Sequence, residues 1–359
     1  MAEARAHQVD ARAAITWQAD HSERNGAAVT ARVIRGFLPL LDGATAVGRR
    51  MRDWPGLSLE DAMPLRLTGG LHWLHLTGQE ARLDGVYRGA VGEQEVVDAA
   101  VGAVVRAHDA ELLPWLDGPP QTNEAGRSAS IVAGMLWLAR RLGPRFELNE
   151  IGASAGCNTM IERYRYVLGG VEVGPKVSPV EIAPEWRGEP PPRGPLEITA
   201  IRGCDLAPID LADPAQALRL TAYVWPENRA RLERLRAIIA LARERAPRVE
   251  RADAADWVER RLRDPQETGV TRAFYHSIVW QYLPLQGRAR IEAAMARAGA
   301  QATAERPLAW IMLETNRETF RHELRVRHWP GDGEWTLLGE AHAHGAWVAW
   351  RGRDVLPRD

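Results

Sequence analysis

The sequence predicts an α/β protein: a mostly parallel sheet with antiparallel C-terminal strands, preceded by an all-helical N-terminal region. Two observations predict this class. Up to residue 143, apolar residues recur at spacings of three and four, and no stretch alternates with period two over any length. After residue 143, short apolar runs alternate with helical patterns, which is typical of a parallel sheet with helices on both faces. We therefore expect a helical region over residues 1–143 and a sheet domain over residues 144–359.

Four runs carry the helical pattern of the first region, and turn-forming residues such as the Asp-Gly-Pro-Pro at 117–120 separate them. The runs are GAAVTARVIRGFLPLL (26–41), LRLTGGLHWLHLTG (65–78), EQEVVDAAVGAVVRAHDAELLPWL (93–116) and EAGRSASIVAGMLWLARRL (124–142).

The second region reads as repeated strand and helix. The expected strands are RFELNEIG (145–152), PLEITAIRGCD (195–205), the start of RVERADAADWVERRL (248–262), TRAFYHSIVWQYLP (271–284), PLAWIMLETN (307–316) and antiparallel strands within 322–352. We expect one or two helices over 214–246 and another over 285–299. Residues 154–170 also predict a helix, because Met160, Ile161, Tyr164 and Leu168 have helical spacing and Gly169-Gly170 resembles a C-cap. The proline-rich stretch 171–195 predicts irregular structure or a hairpin.

The balance of basic and acidic residues argues against a highly charged partner such as a nucleic acid or an anionic membrane. There are 46 basic and 47 acidic residues, for a net charge of -1, so we expect no nucleic-acid or anionic-membrane binding.

The charged N-terminus does not have a signal-peptide pattern, and no uncharged run approaches the ~20 residues of a membrane span. Two cysteines predict reduced thiols, and the His72-x-x-His75 and His342-x-His344 pairs predict structural or surface histidines and no metal site. We expect a cytoplasmic protein.

The stretch NEIGASAGCN (149–158) is the main candidate for a ligand-binding loop. Small residues at Gly152, Ser154 and Gly156 would let a ligand approach the backbone, and a following helix would offer free N–H groups. The carboxylate of Glu150 could accept a hydrogen bond from a ribose hydroxyl or an amino group. These features suit S-adenosylmethionine, whose amino-acid end is zwitterionic, and Asn158 closes the same loop.

Acidic residues follow the next two expected strands. Asp205 comes after the second strand, where a carboxylate can hold a ribose diol, and Asp253 comes after the third, where an acid can contact adenine. Both residues also fit a second interpretation as turn or N-cap residues.

The same loop matches the G-x-S-x-G pattern of a hydrolase nucleophile elbow at Ser154. Asp205 or Glu314 could then supply the acid, and His322, His342 or His344 the base, in the required order. This alternative leaves Glu150 unexplained, and a hydrolase normally has further strands before its elbow.

Several stretches of the chain resemble the bacterial family catalogued as domain of unknown function 2332, over about residue 12 to the end. They are QTNEAGRSAS (121–130), NEIGASAGCNTMIERYRY (149–166), IRGCDLAPIDLADP (201–214), AYVWPEN (222–228), RADAADWV (251–258) and FYHSIVWQYLP (274–284). The resemblance implies a Rossmann-like methyltransferase domain behind a helical N-terminal region, and we expect that region to act as a lid or substrate wall.

A broader resemblance, to class I S-adenosylmethionine-dependent methyltransferases, rests on Glu150, Gly152, Gly156, Asp205 and Asp253. The sequence departs from that pattern in two ways. Ser154 replaces the middle glycine, and a proline-rich insertion separates the loop from the second strand, which puts the role of Asp205 in doubt.

Two further groups of residues could complete such a site. His276 could act as a general base, and Tyr282, with Trp280, could stack on a flat ligand, although all three also fit packing roles. Asn123, Glu124 and Arg127 could hold the carboxylate of the cofactor, although Asn123 and Glu124 also suit a helix start.

The sequence therefore predicts a methyltransferase that binds S-adenosylmethionine and acts on a small-molecule acceptor. Two alternatives stay open: a non-catalytic protein that binds S-adenosylmethionine or a nucleotide, and a serine hydrolase with Ser154 as its nucleophile.

Overall fold

The computed structural model describes residues 10–352, which divide into two compact units. The first unit comprises Met1–Thr122 and Asp213–Arg236, and the second comprises Asn123–Ala212 and Ala237–Asp359. Residues 1–9 and 353–359 fall outside the described residues, so the structure says nothing of the first part of the charged N-terminus.

Twelve α-helices span the described residues. They are α1 (Ala11–Arg24), α2 (Ala28–Arg35), α3 (Ala46–Arg52), α4 (Met63–Leu76), α5 (Asp84–Tyr87), α6 (Gln94–Ala107), α7 (Asp109–Leu112), α8 (Ser128–Leu142), α9 (Pro214–Ala222), α10 (Arg229–Glu244), α11 (Ala254–Arg263) and α12 (Leu285–Gly299). The first unit contains α1 to α7, α9 and the start of α10, and buried apolar residues from these helices form its core.

Two side chains explain why the segment 213–236 belongs to the first unit. The carboxylate of Glu227 accepts hydrogen bonds from Thr30 N and Thr30 Oγ1, at 2.7 and 2.8 Å. The imidazole of the buried His72 in α4 lies with Nδ1 3.0 Å from the carbonyl oxygen of Ala222. Both contacts join α9 and its following turn to helices that are distant in sequence.

The second unit is built on strands. They are β1 (Arg145–Ile151), β2 (Arg165–Leu168), β3 (Val171–Val173), β4 (Glu181–Ile182), β5 (Glu185–Arg187), β6 (Glu197–Asp205), β7 (Val249–Arg251), β8 (Thr271–Ser277), β9 (Leu308–Thr315), β10 (His322–Trp329), β11 (Thr336–Ala341) and β12 (Trp347–Trp350).

Nine of these strands form one sheet in the order β5-β12-β11-β10-β9-β8-β1-β6-β7. Strands β9, β8, β1, β6 and β7 are mutually parallel, whereas β10 and β11 are antiparallel to their neighbours. The expected α/β class, the mostly parallel sheet, the antiparallel C-terminal strands and the helical first region are therefore confirmed. Along the sheet, the parallel strands run in the chain order 3-2-1-4-5, so the order reverses between β1 and β8, where doubly wound sheets bind ligands.

The position of α8 differs from the expected boundary at residue 143. Helix α8 packs on the sheet, and a Cβ on Gly134 would lie 3.2 Å from Ile311 and 3.5 Å from Val326. The helix therefore belongs to the second unit, which begins at Asn123. The role of the helical region as a lid or substrate wall stays a prediction.

The helix expected over residues 154–170 does not form. Residues Cys157–Arg163 make a short 3-10 helix, and β2 and β3 then form a hairpin, which β4 extends to a three-stranded sheet. The physical reason is a burial pattern with period two, since Tyr164, Tyr166 and Leu168 are all buried. Gly169 and Gly170, with φ of 57° and 84°, form the turn of this hairpin and not a helix C-cap.

Candidate functional site

Unusual backbone geometry marks the edge of the sheet at which β1, β8 and β9 end. Among residues 10–352, a positive φ at a residue other than glycine occurs at Ala62, Ser154, Ile278 and Phe320. The last three follow the carboxyl ends of β1, β8 and β9, which are neighbours in the sheet. A positive φ is costly for a β-branched or bulky residue, and such strain concentrates at ligand-binding and catalytic sites. This edge, next to the switch point, is the candidate site.

Hydrogen bonds within the second unit fix the loop that follows β1. Ala153 N donates to the carbonyl of Cys204 at 2.9 Å, and Cys157 N donates to Asn123 Oδ1 at 2.7 Å. Gly156 N donates within the loop to the carbonyl of Ala153 at 2.8 Å. The expected α-helix does not follow this loop, and the 3-10 helix Cys157–Arg163 takes its place, with the first N–H, that of Cys157, already donating to Asn123.

The glycines of the loop are required by conformation and by packing. Gly152 has a φ of 70°, and a Cβ at this position would lie 2.3 Å from Cγ2 of Val279. Gly156 has a φ of 73°, and its Cβ would lie 2.6 Å from Pro247. The side chain of Val279 therefore already occupies the space that the sequence assigned to a ligand at Gly152. A ligand that reaches this glycine has to displace Val279.

Ser154 contacts its surroundings through the backbone. Its N–H donates to Asp205 Oδ2 at 2.9 Å, and its φ is 52°. Within residues 10–352 no hydrogen bond joins its hydroxyl to a histidine, and His322 is instead 2.9 Å from the hydroxyl of Thr315. The serine–histidine pair that an elbow needs is therefore not formed in this conformation.

Glu150, Tyr275 and Asn158 form a buried polar cluster beneath the loop. The Tyr275 hydroxyl lies 2.8 Å from the carbonyl oxygen of Asn158 and 3.4 Å from Glu150 Oε2. Burial raises the pKa of Glu150 well above its usual value, and the nearby Asn158 and Tyr275 side chains oppose this only in part. A hydroxyl has a single hydrogen, so when Tyr275 donates to the carbonyl, protonated Glu150 can donate to the tyrosine oxygen.

The side-chain amide of Asn158 is the most unusual group in this cluster. Asn158 is 2% exposed, and neither Nδ2 nor Oδ1 has a hydrogen-bond partner of normal geometry among the described residues. A buried polar group left unpaired costs about 1–3 kcal/mol. Such a group therefore indicates a position where a ligand or a solvent molecule supplies the missing bonds.

The two acids expected at the next strand ends both cap backbone N–H groups. Asp205 accepts from Ser154 N and, through its other oxygen, from Ala207 N at 2.9 Å. Asp253 is the N-cap of α11 and accepts from the N–H groups of Ala255 and Asp256. The capping interpretation is thus confirmed for Asp253, and Asp205 stabilises the turn after β6. Each Asp205 oxygen has accepted one hydrogen bond and can accept another.

The segment before α8 reaches the same edge. Asn123 bonds to the loop as described, and the buried Glu124 accepts a hydrogen bond from Gly126 N at 3.0 Å. The buried guanidinium of Arg127 donates to the carbonyls of Ala343 and Ser277, at 2.8 and 3.3 Å. Its positive charge lowers the pKa of Glu150, which places it near the cluster.

His276 and Glu314 form a second buried pair, on β8 and β9. Nδ1 of His276 lies 2.6 Å from Glu314 Oε1, which also accepts from Val279 N at 3.1 Å. Trp280 stacks on the imidazole, with ring centroids 5.0 Å apart. Tyr282, which the sequence predicted beside His276 as a second candidate for contact with the substrate, is 70% exposed and lies outside this pair.

Tyr275 and Val279 were missed by sequence reasoning. Tyr275 stands opposite Glu150 in the β1–β8 pairing. Tyr275 could have been identified from this register, but the register can be assigned only once β1 and β8 are known to be neighbours. Val279 had no local signal, because its contact with Gly152 joins the segment after β8 to the loop after β1.

Other expected features concern metals, thiols and membranes. Over residues 10–352, no group of three or more His, Cys, Asp or Glu side chains could hold a metal ion. Cys157 and Cys204 are free and buried, and burial raises the pKa of the Cys204 thiol to about 12. None of the helices in the described part of the chain is long and apolar enough to cross a bilayer.

Comparison with known proteins gives a family and no characterised relative. No curated protein and no solved structure matches the chain. Residues 12–350 match the family described as "Uncharacterized protein conserved in bacteria (DUF2332)". Because the match covers nearly the whole chain, the protein belongs to this bacterial family.

Proposed function

We propose that the second unit binds S-adenosylmethionine at the carboxyl edge of β1, β6 and β8, and that it catalyses methyl transfer to a small-molecule acceptor. The observation that carries the proposal is the buried amide of Asn158 beside Glu150, near the carboxyl end of β1, since neither of its polar atoms has a hydrogen-bond partner of normal geometry among the described residues. The reversal of strand order between β1 and β8 supports the same location.

The amino-acid end of S-adenosylmethionine has a carboxylate and an ammonium group, which could supply the hydrogen-bond partners that the Asn158 amide lacks. Nδ2 of Asn158 would donate to the carboxylate of the ligand, and Oδ1 would accept from its ammonium group. The positive charge of Arg127 near the cluster favours the carboxylate. An ammonium group beside Glu150 would stabilise the ionised carboxylate, so we expect Glu150 to release a proton when the ligand binds.

Two further acids would contact the nucleoside. Asp205 follows β6, the neighbour of β1, and retains hydrogen-bonding capacity for a ribose diol. Asp253 follows β7, the next strand, although its carboxylate also caps α11. The side chain of Asn123 accepts a hydrogen bond from Cys157 N and so fixes the loop after β1. Asn123 would therefore act on the cofactor indirectly, by holding this loop in place.

The chain's contribution to the reaction would be binding and orientation. S-adenosylmethionine supplies the activated methyl group when bound. Glu150, Asn158 and Arg127 would fix its amino-acid end, and Gly152 would lie against it once Val279 has moved. Fixing the cofactor in this way lowers the entropic part of the barrier for a correctly placed acceptor.

Titration calorimetry of the full chain with S-adenosylmethionine and S-adenosylhomocysteine tests the proposal. We expect both ligands to bind, and we expect Asn158→Ala to weaken the binding by at least about tenfold, or about 1.4 kcal/mol. Gln301→Ala, a change at an exposed residue, is the control and should leave affinity unchanged. Titrations in two buffers of different ionisation enthalpy should show proton release, and Glu150→Gln should abolish it.

The alternatives give different results in the same experiments. A serine hydrolase would bind neither ligand and would react with a fluorophosphonate at Ser154. A non-catalytic binding protein would bind both ligands without turnover. Absence of binding for both ligands would contradict the proposal.

A further inference from the structure

The segment 278–283, here called the strap, covers a second buried polar site in the second unit. His276 is 0% exposed, and its Nδ1 is committed to Glu314 Oε1. With the carboxylate accepting at Nδ1, that nitrogen carries a hydrogen in either protonation state of the ring. The Nε2 atom is buried and has no hydrogen-bond partner among the described residues. The imidazole therefore presents one unpaired nitrogen, which accepts a hydrogen bond when the ring is neutral and donates one when it is protonated.

A matching unused donor lies on the adjacent ring. The Nε1–H of Trp310 is also buried without a partner in the described part of the chain, and the Trp310 and His276 rings have centroids 5.9 Å apart. A buried donor or acceptor that is left unpaired destabilises the fold, so both atoms favour a ligand that pairs with them. A hydroxyl group both donates and accepts, so one hydroxyl could satisfy Nε2 and Nε1–H together.

The surroundings of these two atoms favour a flat, apolar ligand. Trp280 stacks on the imidazole with an interplanar angle of 17°, and Trp335 lies against Trp310 at 5.1 Å. Aromatic side chains bind other rings through stacked or edge-to-face contacts. The chemistry therefore combines an aromatic wall with a site for a single hydroxyl.

Trp280 is the side chain best placed to uncover this site. It belongs to the 3-10 turn Trp280–Tyr282, in which no residue is buried. The turn follows Ile278, whose φ of 53° is unusual for a β-branched residue. A segment with few buried contacts opens at lower cost than the strands around it.

We propose that His276 and Trp310 form an acceptor subsite for an aromatic alcohol, which is covered by Trp280 and which the ligand enters when the strap lifts Trp280 from the imidazole. Glu314 is the positioning residue that fixes the orientation of the imidazole. The identification of this ligand as the methyl acceptor rests on the proposed function, whereas the subsite itself does not.

Fluorine NMR with two probes of matched shape tests the subsite on the full chain. 4-Fluorophenol carries the hydroxyl, and 4-fluorotoluene replaces it with a methyl group. We expect 4-fluorophenol to bind at least about tenfold more tightly. Trp310→Phe removes the donor but keeps a ring, and it should reduce this preference. Trp186→Phe is the matched control, since Nε1 of Trp186 already donates to the carbonyl of Glu189.

A third variant addresses the strap. Trp280→Ala should increase the affinity for 4-fluorophenol several-fold and retain the preference for the hydroxyl. Equal affinities for the two probes in the wild-type chain, or no binding of either probe to the wild type and to Trp280→Ala, would overturn the subsite.

Calorimetry with S-adenosylhomocysteine separates the two proposals. Cofactor binding without probe binding overturns the subsite and leaves the proposed cofactor site in place. Probe binding with the hydroxyl preference, but without cofactor binding, supports the subsite and overturns methyl transfer.

Discussion

At the residue scale, the loop after β1 shows how one sequence pattern carries two physical constraints. Gly152 and Ser154 both have positive φ, but only Gly152 also faces a close neighbour, Val279. An L-residue in this conformation costs about 1–2 kcal/mol, and glycine avoids the cost. Ser154 is therefore a strained residue that glycine could replace, whereas Gly152 could not be exchanged for a residue with a side chain.

This contrast gives a stability prediction. We expect Gly152→Ala to lower the free energy of unfolding by at least about 2 kcal/mol, from strain and from the clash with Val279. We expect Ser154→Gly to raise it by a few tenths to about 1 kcal/mol and to leave cofactor affinity unchanged. Denaturant unfolding measures both variants. Equal destabilisation by the two changes would contradict this account.

The double variant Gly152→Ala/Val279→Ala is the internal control. Shortening Val279 should relieve the clash but not the strain, so part of the lost stability should return. Gly152 variants consequently disturb the fold whether or not a ligand binds, which makes them poor tests of the cofactor. If Ser154→Gly retains cofactor binding but loses turnover, the elbow interpretation regains support.

At the element scale, the sequence predicted an element correctly where the buried residues follow only the helical or only the strand period. The prediction failed where the same residues fit both periods. Strand β8 is an uninterrupted buried run, and α11 begins at a capping aspartate, so both were predictable. In the stretch that forms β2, Tyr164 and Leu168 are four apart, which fits a helix and a strand equally. The buried Tyr166, two residues from each, decides in favour of the strand.

Non-local pairing limited the prediction further. Strand β5 pairs with β12 although a large part of the chain separates them, and no local pattern encodes this contact. The same limit applied to the site. Glu150 was recognisable as an acid at a strand end, but Tyr275 requires the register of β1 against β8.

A buried charge network connects α11 with β1 and β8. Glu147 accepts from Arg261 through Oε1 and from Arg272 Nε through Oε2, the latter at 3.0 Å. Arg272 is 2% exposed and also donates to the carbonyls of Arg261, Asp264 and Pro265. Removing Arg272 would take away the side-chain donor of the Asp264 and Pro265 carbonyls and of one oxygen of Glu147, whereas the carbonyl of Arg261 would keep the N–H of Asp264.

We therefore expect Arg272→Met to lower the free energy of unfolding by about 3–5 kcal/mol, the usual cost of breaking a buried ion pair from one side. Arg260→Met, which removes a half-exposed arginine paired with Glu250, should cost less than about 1 kcal/mol. Guanidinium unfolding curves compare the two. A similar loss in both variants would show that the network adds little beyond surface charge.

At the scale of the whole molecule, the two units have separate cores and buried groups that respond to pH in opposite directions. Burial lowers the pKa of His72, in the first unit, from 6.5 to about 4. Its unfolded form therefore binds a proton below pH 6.5 while the folded form does not, so stability is lost as pH falls from 6.5 towards 4. Glu150, in the second unit, has a raised pKa, so its contribution to stability is present below about pH 4.5 and is lost as pH rises above that value.

Acidification from pH 7 to pH 5 should therefore lower the stability of the first unit, because the buried His72 cannot take up a proton. It should raise the stability of the second unit, because Glu150 becomes protonated more readily in the folded state. The fully developed contribution of His72 is about 3 kcal/mol, at 1.36 kcal/mol for each pKa unit. Hydrogen exchange in α4 and β1, corrected for intrinsic rates, reports each unit separately. We expect His72→Gln to slow exchange in α4 relative to the wild type increasingly as pH falls, and Glu150→Gln to slow it in β1 most at neutral pH. A pH-independent difference in either helix or strand would contradict the assigned direction of that group's pKa, because linkage requires the difference to follow the proton.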